Sequence, residues 1–303
     1  MKPASRSDAP RALITGLTGF TGQYVAQALE AVGYQVFGTA YGDGAQASNI
    51  HSADLCDRPA LIDAVNAIRP DVVAHLAAIS FVAHGDVDAI YRTNVVGTYN
   101  LLDALSRLTN PPRAVLLASS ANIYGNAAVE VIDESVLANP ANDYAVSKLS
   151  MEYMARLWTD KLPIVISRPF NYTGVGQAPQ FLLPKIVSHF QRGARTIELG
   201  NIDVERDFSD VRMVASAYQR LLDAAPAGEV FNVCSGKAVS LRAVIAMMEE
   251  IAGYRMEIRV NQAFVRANEV RRLQGNAAKL TRAIGPLNQP PLKETLRWMY
   301  AEG

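Results

Sequence analysis

The sequence predicts an α/β protein: a doubly wound parallel sheet with helices on both faces, followed by a smaller C-terminal α/β lobe. Three observations lead to this prediction. Over residues 11–170, short apolar runs alternate with helix-length segments, which is the pattern of successive β-α-β units. The runs are apolar almost throughout, as strands covered on both faces require. Beyond residue 170 the spacing changes, and glycines and a proline mark a loop before shorter strands and helices resume.

The composition is that of an ordinary globular chain of 303 residues. Half of the residues are hydrophobic, 19% are charged, and basic and acidic side chains are equal at 29 each. This balance argues against nucleic acid or a membrane surface as a partner, and no apolar run is long enough to span a bilayer. Residues 1–10 are polar, so we expect a disordered leader. The two cysteines and four histidines show no ligand spacing, which favours a reducing cytoplasm and no metal site.

The first unit of the predicted sheet is a strand, a glycine turn and a helix. An apolar run over 12–15 precedes the spacing G-x-x-G-x-x-G and a helical pattern. Backbone amides at the start of such a helix attract a pyrophosphate, and glycines let it approach closely. A turn selected only for helix–strand packing is the alternative. The cofactor residues predicted here are Gly16, Thr18, Gly19, Phe20 and Gly22.

The second strand, over 35–39, ends where the adenine ribose of a dinucleotide lies. NAD-selective sites usually place Asp or Glu there, but this chain has Thr39. A 2′-phosphate is then not repelled, although no arginine follows to bind it, so NADP(H) is favoured and NAD(H) is also admitted. Asp54 and Leu55 precede a helix that Asp57 caps, and we place them beside the adenine. For Asp54 a purely structural turn is the alternative.

A buried strand is predicted over 71–78. It ends in Leu76 followed by two small residues, Ala77 and Ala78, which leave room for a cofactor. His75 within this strand is expected to pack in the interior and not to act as a ligand.

The remaining core elements alternate in the same way. A long helix is predicted over 86–108 and a strand over 114–118, which leads into a hydroxyl-rich stretch at 119–125. A helix over 144–160 and a strand over 164–167 complete the core.

Tyr144 and Lys148 lie four residues apart in a predicted helix, so their side chains share one face. We expect the neighbouring ammonium to lower the pKa of the Tyr144 phenol toward neutrality. Ser120 follows a strand at the carboxyl edge of the sheet, where open α/β sheets bind ligands. Tyr144 could then protonate a carbonyl oxygen as hydride reaches its carbon, while Ser120 stabilises the developing charge. A packed tyrosine beside a solvated lysine is the structural alternative.

The glycine loop, Ser120, Tyr144 and Lys148 occur in an order that resembles the extended short-chain dehydrogenase/reductase family, over nearly the whole chain. The resemblance implies a Rossmann-type core over 11–170, with later segments interleaved, and a lobe over 171–303 that mainly binds a nucleotide-diphosphate sugar. It also implies that a nicotinamide cofactor contacts Tyr144 and Lys148.

The same resemblance assigns a substrate site. Residues 168–171 look like the family's R-P-x-N segment, and residues 199–208 are similar to a segment that brings an arginine to the diphosphate. Residues 266–270 resemble a late R-P-x-E-V motif, with Ala267 in place of the usual proline. The substrate residues implied are Ser80, Asn122, Asn171, Lys185, Leu199, Asn201, Arg206, Arg266 and Glu269.

The residues after Ser120 bear on the reaction. Dehydratases of this family carry acidic residues there, but this chain has Ala121 and Asn122. The family's GDP-fucose-forming epimerase-reductases place Cys where Asn122 stands and His after the R-P-x-N segment, and the chain has neither. Hydride transfer alone remains. The chain most resembles the family's reductases of GDP-4-dehydro-6-deoxy-D-mannose, which implies GDP-D-rhamnose as the product.

Two other functions stay open at this point. An NAD-retaining nucleotide-sugar 4-epimerase would use the same three catalytic side chains, although Thr39 stands where such enzymes usually have an acidic residue. A non-catalytic NAD(P)-binding regulatory protein is opposed by the intact Ser120, Tyr144 and Lys148. The resemblance further implies a homodimer in which the helices over 86–108 and 144–160 form a four-helix interface.

Overall fold

The computed structural model describes residues 9–40, 47–80, 85–264 and 270–303. Most of the expected leader therefore lies outside the described residues. The elements of the first part alternate as expected: β1 (Arg11–Thr15), α1 (Phe20–Glu30), β2 (Gln35–Ala40), β3 (Ile50–Ser52), α2 (Arg58–Ile68), β4 (Val72–His75), α3 (Val87–Tyr91), α4 (Thr98–Ser106), β5 (Ala114–Ala118), α5 (Asp143–Arg156) and β6 (Ile164–Pro169).

The second part contains shorter strands and five further helices among the described residues. They are β7 (Asn171–Thr173), α6 (Leu182–Gln191), β8 (Thr196–Leu199), β9 (Glu205–Asp210), α7 (Val211–Ala224), β10 (Val230–Val233), β11 (Ala238–Ser240), α8 (Leu241–Ala252), β12 (Glu257–Val260), β13 (Arg272–Leu273), α9 (Ala278–Ile284) and α10 (Leu292–Glu302).

The large sheet confirms the predicted fold class. Its seven strands run in the order β10-β6-β5-β4-β1-β2-β3, and every pair is parallel. From β1 the chain proceeds outward to β2 and β3, and then returns to place β4 on the other side. This reversal opens a crevice at the carboxyl ends of β1 and β4, which is where open α/β sheets bind ligands.

The two faces of the sheet bury separate cores. Helices α1 and α7 cover one face, where Val25 and Leu221 pack, and α2, α4 and α5 cover the other. Strand β5 shows why the strands read as continuous apolar runs: Leu116 points into the first core, whereas Val115 and Leu117 point into the second. Each residue of such a strand is therefore buried, whichever face it takes.

Some elements of the C-terminal half belong to the large sheet and its helices, and the others form a smaller lobe. Strand β10 joins the edge of the large sheet beside β6, and α7 packs against α1. The other elements form a smaller lobe with its own core, in which α6, α8 and α10 cover the paired strands β8 and β12. Strand β9 pairs with β7, β11 and β13 in a second small sheet.

Three predicted boundaries differ from the structure. The strand expected over 71–78 ends at His75, because the next two backbone N–H groups bond to the Thr15 side chain and leave the sheet. The helix over 86–108 contains a π-helical turn, Arg92–Gly97. The helix expected to reach 160 ends at Arg156, where i→i+3 bonds tighten the last turn.

In the part of the chain that the structure describes, no helix is long and apolar enough to cross a membrane.

Candidate active site

A cleft of about 520 Å³ lies at the carboxyl edge of the large sheet, between the sheet and the smaller lobe. It brings together segments that are more than 150 residues apart in the sequence. The predicted residues that line it are Gly16, Gly19, Phe20, Gly22, Leu76, Ala77, Ala78, Ser80, Ser120, Asn122, Tyr144, Lys148 and Asn171.

The glycine loop has the geometry that a dinucleotide pyrophosphate requires. Gly16 has φ +74, and a Cβ built on it would lie 3.1 Å from the Cα of Ala77. A Cβ on Gly22 would lie 2.2 Å from the Gly16 carbonyl oxygen. Gly19 is the N-cap of α1 and has no side chain to bond the amides of the first turn, so those amides and the helix dipole face the cleft. The loop therefore fits the phosphates of a nicotinamide dinucleotide.

Ser120 is held at the end of the strand that precedes it. Strand β5 stops at Ala118, and Ser120 caps a short 3₁₀ turn, Ala121–Tyr124, by accepting a hydrogen bond from Asn122 N–H at 3.1 Å. This cap fixes the serine side chain at the mouth of the sheet, where it lines the same cleft as Tyr144.

Tyr144 lies in the first turn of α5, which Asn142 caps through a 2.9 Å bond from Ala145 N–H to its side chain. The expectation that Lys148 lowers its pKa is wrong for this arrangement. Burial raises the pKa of Tyr144 well above its ordinary value, and the hydrogen bond with Ser120 opposes this only in part. Tyr144 is therefore a neutral phenol that keeps its proton.

Lys148 lies one turn further along α5 and is 4% exposed. Its ammonium donates to the carbonyl oxygen of Ala118 at 2.7 Å, at the end of β5 beside Ser120. Burial lowers the pKa of Lys148 to about 8, and the negative charge of Glu152 acts in the opposite sense. The lysine is therefore anchored to the strand that presents Ser120.

The cleft is nearly free of charge. Among the described residues that line it, none is Asp, Glu, His or Cys, and Lys148 is the one formal cation. Asn171 contributes a buried side-chain nitrogen that has no hydrogen-bond partner in the structure. The described lining can therefore protonate and polarise a bound group through hydroxyls.

Sequence reasoning missed part of the cleft wall. Tyr172 stacks on Phe20, with ring centroids 6.2 Å apart, and its hydroxyl lies 2.9 Å from the Thr21 hydroxyl. Its position directly after Asn171 was the one available signal. Other residues that were not predicted but line the cleft are Phe170, Gln177, Phe181, Phe208 and Leu273.

Several predicted cofactor residues lie near the cleft without lining it. Thr39 is buried, and its carbonyl accepts a 3.2 Å bond from Gly16 N–H. The Asp54 carboxylate accepts from Cys56 N–H at 2.8 Å, as in the structural turn considered above. Leu55 packs in the core, and Thr18 is exposed.

The described substrate residues predicted in the smaller lobe, Lys185, Leu199, Asn201 and Arg206, do not line the cleft. Leu199 is buried in the core of that lobe, so its side chain cannot contact a ligand. Lys185 donates to the Glu198 carbonyl, Asn201 accepts from Asp203 N–H, and Arg206 donates to the carbonyls of Glu205 and Arg271. Arg266 and Glu269 lie outside the described residues, and their roles remain predictions.

Comparison with known proteins gives consistent matches. A family model described as GDP-mannose 4,6 dehydratase matches residues 13–299. The GDP-6-deoxy-D-mannose reductase of Pseudomonas aeruginosa is 35% identical over 303 residues, or 96% of each chain. The GDP-6-deoxy-D-talose 4-dehydrogenase of Aggregatibacter actinomycetemcomitans is 34% identical over 274 residues, or 90% of each chain.

Solved structures agree with these matches. A Burkholderia cenocepacia protein provisionally described as an epimerase is 54% identical, with a TM-score of 0.92 over 98% of both chains. The structure of RMD from Pseudomonas aeruginosa complexed with NADPH is 33% identical, with a TM-score of 0.85 over 98% of both chains. MoeE5 in complex with UDP-glucuronic acid and NAD is 26% identical, with a TM-score of 0.85, and the match covers 96% of this chain and 98% of that one.

Fold and site together place the chain among the oxidoreductases of the extended short-chain dehydrogenase/reductase class. Within this class the chain belongs to the GDP-mannose 4,6 dehydratase family.

Proposed function

We propose that the protein reduces the C4 keto group of GDP-4-dehydro-6-deoxy-D-mannose to the alcohol of GDP-D-rhamnose, using NAD(P)H. One observation carries this proposal: Ser120, Tyr144 and Lys148 meet in a cleft whose described lining contains no carboxylate, imidazole or thiol. Elimination of water and epimerisation beside a carbonyl both need such a base. Reduction of a ketone needs only a hydride and a proton.

The side chains present supply the proton and its orientation. A bound nicotinamide provides the hydride. Tyr144 donates its phenolic proton to the oxygen at C4, so that the ketone gains one hydride and one proton and becomes a secondary alcohol. The Ser120 hydroxyl donates to the same oxygen while negative charge develops there. Lys148, held by the Ala118 carbonyl beside Ser120, brings the one positive charge of the described cleft lining to the same site.

A GDP-sugar as the substrate is supported from two sides. Two enzymes whose names specify GDP-6-deoxysugars are 35% and 34% identical to this chain. In the cleft, the unpartnered Asn171 nitrogen is a donor for an oxygen of the bound sugar diphosphate, since a buried amide left unbonded is costly. This is also the residue that the R-P-x-N segment assigned to the substrate.

A second product is favoured by one of these relatives. An enzyme named as a GDP-6-deoxy-D-talose 4-dehydrogenase acts on the alcohol of opposite configuration at C4, and it matches this chain as well as the reductase does. The face of the ketone that receives the hydride decides between the two products, and both products need the same three side chains.

The deciding experiment supplies purified protein with GDP-4-dehydro-6-deoxy-D-mannose and NADPH or NADH, follows oxidation of the nicotinamide, and identifies the product by NMR. GDP-D-rhamnose is expected, and GDP-6-deoxy-D-talose would change the assigned stereochemistry alone. No oxidation, together with NAD released when the protein is denatured, would favour the 4-epimerase. No oxidation and no released NAD would favour the non-catalytic NAD(P)-binding regulatory protein.

For the cofactor we propose that NADPH is preferred but NADH is accepted. The sequence from 39 to 57 contains no lysine or arginine to bind a 2′-phosphate, and Thr39 does not repel it. We therefore expect the kcat/KM values for the two cofactors to lie within about tenfold of one another. A tenfold ratio corresponds to the net contribution of about one hydrogen bond. A ratio above about a hundred in either direction would contradict this proposal.

We also propose that the protein is a cytoplasmic homodimer. Both cysteines are unpaired, as in a reducing compartment. Helices α4 and α5 pack side by side. Tyr99 of α4, Tyr153 of α5, Val96 just before α4 and Leu157 just after α5 are 42–81% exposed. A second copy of the same two helices, related by a twofold axis, would cover this patch as a four-helix interface.

A further inference from the structure

His75 is the last residue of β4 and has 2% of its surface exposed. It is aligned with Thr15, the last residue of the neighbouring strand β1, so the two side chains lie on the same face of the sheet. His75 Nδ1 is 2.7 Å from the Thr15 hydroxyl, and Nε2 is 2.8 Å from the Thr98 hydroxyl. Both threonines are completely buried.

The hydrogen atoms of this group can be assigned from its partners. The Thr98 hydroxyl donates to the Asn94 carbonyl at 2.8 Å, which cannot itself donate, so Thr98 must accept from His75. Nε2 of His75 therefore carries the proton. Burial lowers the pKa of His75 to about 3, so the ring is neutral and Nδ1 accepts from the Thr15 hydroxyl.

On one side, this chain of bonds reaches the cofactor loop. The Thr15 oxygen accepts the backbone N–H groups of Leu76 and Ala77, each at 3.2 Å. Both of these residues line the cleft, and Ala77 is the residue against which Gly16 packs. The hydroxyl of Thr15 thus fixes the position of the Leu76–Ala77 backbone, which forms the cleft wall behind the glycine loop.

On the other side, the chain reaches the catalytic helix. The π-helical turn Arg92–Gly97 turns Asn94 inward, where its side chain bonds both backbone groups of Ile79 at 2.9 and 3.1 Å. Its amide also donates to the Ser147 hydroxyl at 3.0 Å, and that hydroxyl donates to the Tyr144 carbonyl at 2.8 Å. This series of hydrogen bonds therefore ends at the backbone of Tyr144, the proposed proton donor.

We propose that His75 is a positioning residue that fixes the glycine-loop wall and the Tyr144 turn relative to each other, through Thr15 on one side and Thr98 on the other. The reason is that its Nδ1 is bonded to Thr15 on the cofactor-wall side and its Nε2 to Thr98 on the Tyr144 side. Loss of either arm should therefore affect a different step.

Single substitutions separate the arms. Thr15→Val should weaken NADPH binding about tenfold and change kcat little, because the cofactor wall loses its bond. Thr98→Val should lower kcat about tenfold and leave the NADPH Kd within about twofold. His75→Leu should do both, and His75→Gln, which keeps a donor toward Thr98, should recover most of kcat. NADPH fluorescence titration gives Kd, and steady-state rates give kcat.

The matched control is Thr295→Val. Thr295 is as buried as Thr98 and donates to the Asp210 carboxylate at 2.8 Å, in α10 of the smaller lobe. The Thr295→Val variant should lower the melting temperature without changing the Kd for NADPH or kcat. If Thr98→Val behaves like this control, or if both arms change Kd and kcat together, the proposal is wrong. Should His75→Leu fail to fold, the two threonine variants still decide, and Thr98→Ser should behave like the native protein.

The predicted effects on kcat rest on the proposed function, whereas the predicted effects on the Kd for NADPH do not. If the native protein binds NADPH but reduces no GDP-sugar, the proposed reaction fails on its own. Kd and amide exchange at Leu76, Ala77 and Tyr144 in the same variants still test the positioning role. Unchanged exchange at all three amides in His75→Leu would then overturn it.

Discussion

Burial acts on Tyr144 and Lys148 in opposite senses. It raises the pKa of the phenol and lowers that of the ammonium to about 8, because a buried site disfavours the charged form of each group. A protonated phenol is the form that a reductase needs at the start of its reaction, since Tyr144 must give a proton.

Tyr144→Phe tests the proton donor. The variant removes only the hydroxyl, and we expect kcat to fall about 10²–10⁴-fold, the usual contribution of a general acid, while NADPH binding stays within about twofold. Tyr172→Phe is the matched control, since it removes another hydroxyl from the same cleft and should cost less than about tenfold. Equal rates for Tyr144→Phe and the native protein would revive the non-catalytic interpretation.

The pKa of Lys148 predicts a limit on the alkaline side. The ammonium is charged below about pH 8 and neutral above it, so kcat/KM should fall about tenfold for each pH unit above that value. Lys148→Arg keeps its charge throughout this range and should be slower at every pH but lack the alkaline decline. Initial rates from about pH 6 to about pH 10 check this. If Lys148→Arg shows the same alkaline decline in kcat/KM, the decline belongs to another titrating group.

At the scale of elements, an ion pair clamps the catalytic helix to the sheet. Glu152 of α5 lies one turn after Lys148 and binds Arg168 of β6 through bonds of 3.0 and 2.6 Å. The two side chains are 1% and 8% exposed. Arg168 also donates to the Tyr124 hydroxyl, which donates to Asn232 of β10. One buried network therefore aligns α5 with the strands that end at the site.

Removal of one partner of this pair should be far more costly than removal of both. Arg168→Met leaves a buried carboxylate without its partner and should lower the free energy of unfolding by about 3–5 kcal/mol. The double variant Glu152→Leu/Arg168→Met should recover most of that loss, because no uncompensated charge remains. Urea unfolding followed by circular dichroism measures both. Equal losses in the single and double variants would show that packing, and not charge, dominates.

At the scale of the molecule, two contacts join helix α1 to the segment after the R-P-x-N motif. Tyr172 bonds Thr21, and Tyr24 donates to the Val175 carbonyl at 2.8 Å. Tyr24 also packs edge-on against Trp298 of α10, with ring centroids 6.1 Å apart. The helix that begins at the glycine loop is thus in contact with the smaller lobe.

The proposed dimer can be tested on its exposed helix face. Leu157 follows α5 and is 81% exposed, and Leu137 lies in a loop and is 88% exposed. Leu157→Asp should convert the dimer to a monomer at micromolar concentration, because it places a charge in the centre of an apolar interface. Leu137→Asp changes the same side chain outside the helices and should not. Sedimentation velocity distinguishes these outcomes, and a native monomer would refute the proposed interface.

Local chemistry determined much of this protein in advance. The apolar runs, the glycine spacing and the Asp57 cap each act within a few residues, so the sequence alone predicted the doubly wound sheet, the phosphate loop and the start of α2. It also predicted that Ser120, Tyr144 and Lys148 would lie together at the carboxyl edge of the sheet, because their spacing and their positions after strands are local properties.

Only the tertiary structure decided how these residues behave. The pKa of Tyr144 depends on burial by segments distant in sequence, and so the sequence-based expectation had the wrong direction. His75 was correctly expected to pack, but its bonds to Thr15 and Thr98 span 60 and 23 residues, and no local pattern reports them. Likewise, the cleft itself forms because the carboxyl ends of several strands and a second lobe meet, which is a property of the assembled sheet.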